Sequence, residues 1–131
     1  MANDKKKVLV IDDEEGLRKA LKIKLTDEGY DVSVAADGKS GLEKALSDHP
    51  DLILLDVMMP KMTGQEVIAE LQKDSWGKNV SVLFLTNVSD PIQVAQIGEQ
   101  SVGNSTIFDY MVKSDWSLDD IAERVKQKLE D

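Results

Sequence analysis

Five short strand-like segments, each followed by a helical pattern, limit most strongly what this chain can fold into. Val8-Leu9-Val10-Ile11 is a continuous apolar run ending at Asp12-Asp13. Leu52-Ile53-Leu54-Leu55 ends at Asp56, and Val80 to Leu85 ends at Thr86. Phe108 to Val112 ends at Lys113. Runs without alternation suit strands covered on both faces, as in a parallel sheet. Asp31 to Ala35 differs: Val32 and Val34 flank the polar Ser33, which predicts an edge strand with one face less buried.

Between these segments the apolar residues fall three and four apart. Leu17, Ala20, Leu21 and Leu25 predict a helix ending near Gly29. Leu42, Ala45 and Leu46 predict a second, closed by Pro50, and Val67, Ile68 and Leu71 a third after Gly64. Pro91 opens a pattern with Ile92 and Ala95, as proline does in a first helical turn. Ser117 is placed to cap a last helix carrying Leu118, Ile121, Ala122, Val125 and Leu129 on one face. Five βα units in sequence predict an α/β fold: a doubly wound, five-stranded parallel sheet between two helical layers. Strand order 2-1-3-4-5 puts the alternating strand at an edge and the continuous runs inside. The 131 residues are expected to form a single domain, 1–131 with a core of about 7–129, leaving no room for a separate output domain.

Composition removes several classes of function. There is no cysteine, so disulfides, thiolate metal sites and cysteine nucleophiles are excluded, and with His49 alone a two-histidine metal site is impossible. Asp and Glu number 25 against 16 Lys and Arg, a net charge of −9, which opposes direct contact with nucleic acid or anionic membranes. At 41% hydrophobic and 31% charged residues the chain suits a folded globular protein rather than a disordered one. No stretch reads as a signal peptide or membrane span, and the cytoplasm is the expected location.

Open α/β sheets bind ligands beyond the carboxyl ends of their strands. Strand order places the first strand beside the third, so Asp12, Asp13 and Asp56 are expected to converge. Three carboxylates in one crevice repel one another, and a hard cation such as Mg²⁺ relieves that. Three carboxylates, one Mg²⁺ and Lys113 sum to zero charge, a balance that admits a phosphoryl dianion. A carboxylate can accept such a group as an acyl phosphate. Asp56, alone on a central strand, is the candidate acceptor. Asp12 and Asp13 would hold the cation, while Lys113 and Thr86 would meet phosphoryl oxygens. Singly, each residue has a plainer explanation. Asp13 could cap a helix beginning at Glu14, Thr86 could form a turn, and Lys113 could be a solvated charge. The Met58, Met59 and Met62 cluster suits packing, and His49 falls in an exposed turn. Glycine-rich phosphate loops and the GxSxG elbow are absent.

Taken together, VLVIDDEEGLR, DLILLDVMMPKMTG, VLFLT and DYMVKSD resemble the receiver domains of two-component response regulators, from about Lys7 to Leu129. The resemblance implies a flavodoxin-like sandwich with Asp56 as phosphoacceptor for a histidine kinase or phosphotransfer protein. It also implies Asp12, Asp13 and Asp56 as carboxylate ligands of Mg²⁺, with the backbone carbonyl of Met58 completing the protein ligands. Lys113 and Thr86 would be the assisting residues, with Thr86 and Tyr110 as the switch pair. The output would be an interaction face, built from the fourth predicted helix, the fifth strand and the last helix, that meets a downstream protein. A monomer with a phosphorylation-dependent dimer fits this scheme; turnover as an enzyme does not. Three departures stand out. Ser114 follows Lys113 where the family usually has proline in a cis bond, and a cis bond to serine costs about 3 kcal/mol. Asn87 follows Thr86 where alanine or glycine is common. The segment between Thr86 and Lys113 is long for the family, the excess falling at Gln100–Thr106. Two rivals use the same residues: a receiver-like interaction module that is never phosphorylated, and an Mg²⁺-dependent phosphohydrolase. The hydrolase would need a carboxylate where Met58 stands.

Overall fold

A computed structural model of the chain describes residues 5–57, 59, 61–86, 107–112 and 116–130. The elements run β1 Lys7–Ile11, α1 Glu15–Asp27, β2 Asp31–Ala35, α2 Gly38–Asp48, β3 Leu52–Asp56, α3 Gly64–Leu71, β4 Ser81–Thr86, β5 Ile107–Val112 and α4 Leu118–Glu130. A single 3-10 turn, Gly77–Asn79, precedes β4. The helix expected from Pro91 and the long Gln100–Thr106 connection lie outside the described residues, as do Met58, Lys113 and Ser114.

All four strand pairings are parallel and the order is β2-β1-β3-β4-β5, as the sequence predicts. The continuous apolar runs explain the two-sided burial, because alternate residues serve opposite layers. Leu9, Ile11, Ile53, Leu55, Val82 and Phe84 pack with Ala45 of α2 and with Val67, Ile68 and Leu71 of α3. Val8, Val10, Leu52, Leu54, Leu83 and Leu85 pack on the other face with Leu21 and Leu25 of α1 and Ile121, Ala122 and Val125 of α4. A pattern of single alternation would have buried only one of these faces.

Both helices that begin with a hydroxyl residue are fixed by reciprocal caps. Thr63 accepts from the Glu66 amide at 3.2 Å while Glu66 accepts from the Thr63 amide at 2.9 Å. Ser117 and Asp120 repeat this before α4, at 3.2 and 3.0 Å. The edge strand β2 is guarded by α2: Lys44 Nζ donates to the Val34 carbonyl at 2.6 Å. No helix among the described residues is long and apolar enough to cross a membrane.

Candidate functional site

The register of β1 and β3 builds the site. Ile11 pairs with Leu55, so the residues that follow them, Asp12 and Asp56, leave neighbouring strands at the same carboxyl end. Ligand atoms of Asp12, Asp13 and Asp56 all lie within 4.8 Å of one another. Asp12 and Asp56 are buried, at 0% and 2% exposure, and Asp13 is exposed. The cluster therefore has a floor of two enclosed carboxylates and one carboxylate open to solvent. Ionised carboxylates this close repel by a few kcal/mol per pair, on the order expected for partly screened charges. A hard divalent cation answers that repulsion, and an all-oxygen donor set with room for water is what Mg²⁺ accepts. The donor set thus fits the cation.

Asp12 is held from several directions. Its amide donates to the Ala35 carbonyl of β2 at 3.1 Å, and its Oδ1 accepts from the Glu14 amide at 2.9 Å. Arg18 Nη1 donates to the Asp12 carbonyl at 2.8 Å, tying α1 to the backbone of Asp12. The expectation that Asp13 might cap the first helix is corrected here. Glu14 occupies the cap position with no side-chain cap bond, and it is Asp12 that takes the Glu14 amide. Geometry decides this: Asp12 is two residues before Glu14, and its enclosed carboxylate reaches forward to that amide.

Asp56 pairs in register with Leu85 of β4, so Thr86 is the next residue beyond it. Thr86 in turn pairs with Val112, which directly precedes Lys113. Tyr110 lies in β5 opposite Phe84. The backbone of these strands thus brings Thr86 and the end of β5 to the same rim as the acids. The sequence marks Gly64 only as the start of the third helix. A Cβ there would sit 2.6 Å from the Asp56 carbonyl oxygen and 3.0 Å from Val57 Cα, so only glycine lets α3 begin against the backbone of Asp56. Gly64 and Arg18 carry no local signature, because what they do depends on segments remote in sequence.

The sequence profile of the response regulator receiver domain matches residues 8–126. The chain belongs to that family. This receiver is 31% identical to the chemotaxis protein CheY4 of Vibrio cholerae, with a TM-score of 0.84 over 95% of this chain and 99% of that one. It is 34% identical to the response regulator TrrA of Thermotoga maritima, solved in complex with Mg²⁺ and BeF, with a TM-score of 0.77 over 95% and 99% of the two chains. Among curated relatives, the probable transcriptional regulator ycf27 of Porphyridium aerugineum is 38% identical over 95% of this chain and 48% of its own length. The response regulator ArlR of Staphylococcus saprophyticus is 31% identical over 94% of this chain and 52% of its own. The receiver thus spans about half the length of these curated relatives. Receivers act in two-component signal transduction and are generally not turnover enzymes.

Proposed function

We propose that this receiver takes a phosphoryl group onto Asp56 from a histidine kinase or phosphotransfer protein and passes the signal on by contact with a downstream protein. The convergence of Asp12, Asp13 and Asp56 within 4.8 Å carries this reading. Bound Mg²⁺ would neutralise the phosphoryl oxygens as charge redistributes during transfer. Asp12, Asp13, Asp56 and the backbone carbonyl of Met58 would hold it. An Asp56 carboxylate oxygen attacks phosphorus in line. The new O–P bond makes an acyl phosphate as the donor's P–N bond breaks, and the donor imidazole leaves with the electron pair. The low exposure of Asp56 keeps bulk water from the acceptor.

Lys113, one residue past β5, would neutralise a phosphoryl oxygen, and the Thr86 hydroxyl would donate to another. Thr86 and Tyr110 would then report the charge change to the face formed by β5 and its neighbouring helices, a local electrostatic event with a remote readout. Direct contact with nucleic acid or membrane has no part in this scheme. The cytoplasm suits it, as does a monomer that pairs on phosphorylation.

Incubation with Mg²⁺ and acetyl phosphate, followed by intact-mass measurement and peptide mapping, tests the proposal. We expect one phosphoryl adduct, on Asp56, absent in Asp56→Asn and absent when EDTA replaces Mg²⁺. No adduct from small donors or from a phosphorylated kinase would instead support a constitutive interaction module, the reading that Asn87 and Ser114 favour. Multiple turnover of a phosphomonoester would support a hydrolase.

A further inference from the structure

The loop leaving Asp56, residues 57–63, closes on itself where the Gly64 amide donates to the Val57 carbonyl at 2.9 Å. Val57 and Met59, on either side of Met58, are buried in the layer between the sheet and α2 and α3. The outer part of the loop rests on the amino end of α2. Lys61 Nζ lies 3.8 Å from Asp37 Oδ2, and Lys61 has a positive φ of 70°. Beside that pair, Gly38 packs on Met62. A Cβ on Gly38 would sit 2.5 Å from the Met62 carbonyl oxygen, 2.9 Å from Met62 Cβ and 3.0 Å from Val67 Cγ2. The tightest of these contacts is to backbone, so no rotamer change relieves it, and added bulk must shift the loop against the amino end of α2.

We infer that Gly38 is a positioning residue for the cation site, and that the amino end of α2 sets the path of the loop that leaves Asp56. The inference rests on the proposed role of the acid cluster. Gly38 offers no ligand atom and acts only through the loop. Groups that orient metal ligands from behind commonly matter to affinity nearly as much as the ligands.

The test is calorimetric titration of the full chain with Mg²⁺, together with Tm measured in EDTA. Parent, Gly38→Ala, Gly77→Ala and Asp13→Asn are compared. Gly77 is the control for general strain, since its Cβ would sit 2.3 Å from the Leu71 carbonyl oxygen, before β4 at the opposite end of the sheet. We expect Gly38→Ala to bind Mg²⁺ on the order of tenfold more weakly, and Gly77→Ala to lose Tm but bind as the parent does. Should Gly38→Ala fail to fold, Met62→Gly removes the side chain that packs on Gly38 while keeping the carbonyl, and is expected to weaken binding severalfold. Parent-like affinity in whichever variant folds overturns the inference, as does equal weakening in Gly77→Ala. A parent that takes up no Mg²⁺, or an Asp13→Asn variant that binds as tightly, instead sinks the cation site itself, and the inference with it.

Discussion

Asp56 closes a strand in which every residue is buried, and its carbonyl is overlain by the first residue of α3. Gly64→Ala therefore forces a methyl group to 2.6 Å from that carbonyl oxygen. The expected loss is about 1–3 kcal/mol, the usual cost of overpacking, read from urea midpoints at constant slope. On the other side of Thr86 the sequence places Asn87 where the family commonly has alanine or glycine. If Asp56 is phosphorylated as proposed, a side chain larger than alanine at this position is expected to shield the acyl phosphate from water. Asn87→Ala is accordingly expected to lose its phosphoryl group faster than the parent, measured by phosphate release after the donor is removed; an equal rate would count against shielding. The acids of the site were legible because each interrupts an apolar run: Asp12 and Asp56 follow four apolar residues apiece. Arg18, Gly38 and Gly64 were not, because a cation under a carbonyl or a missing Cβ acquires meaning only when distant segments meet.

Among the elements, α1 and α4 share one face of the sheet and are tied by a salt bridge between Lys24 Nζ and Asp119 Oδ1 at 2.6 Å. The hydrogen bond and charge of Lys24 hold Asp119 below its ordinary value of 3.8, and the same contact raises Lys24 above 10.5. The signs fix a window. The Asp119 share is present above 3.8 and is lost as pH falls through its lowered value. The Lys24 share is present below 10.5 and is lost as pH rises through its raised value. A small Tm deficit of Asp119→Asn against the parent is therefore expected at neutral pH and should vanish in strong acid. A deficit that persists there would mean the carboxylate charge is not its cause. The order of strands and helices was readable because periodicity changes cleanly from strand to helix at Asp12-Asp13, at Asp56 and at Ser117. The cap at Thr63 was equally available from its spacing to Glu66, the S/T-x-x-E signature.

In the molecule as a whole, the two ends of the sheet do different work. The acids occupy the carboxyl end. Before the amino ends of β3 and β4, the His49 ring stacks on Trp76 with centroids 4.4 Å apart and planes 11° from parallel. His49 is exposed, as the sequence predicts, and its stack joins two connections far apart in sequence and has no local sign. The outer strand β2 carries a consequence of another kind. The Ala35 carbonyl accepts from Asp12, just past β1, so by the alternation of a strand the Val34 carbonyl faces outward, away from the sheet. Lys44 takes that acceptor. A strand from a second copy could extend the sheet only by displacing an ammonium group and burying its charge. One lysine on α2 is thus expected to oppose polymerisation. Concentrated Lys44→Met is expected to scatter light and sediment as larger species while the parent stays dispersed, and equal behaviour of the two would locate that protection elsewhere.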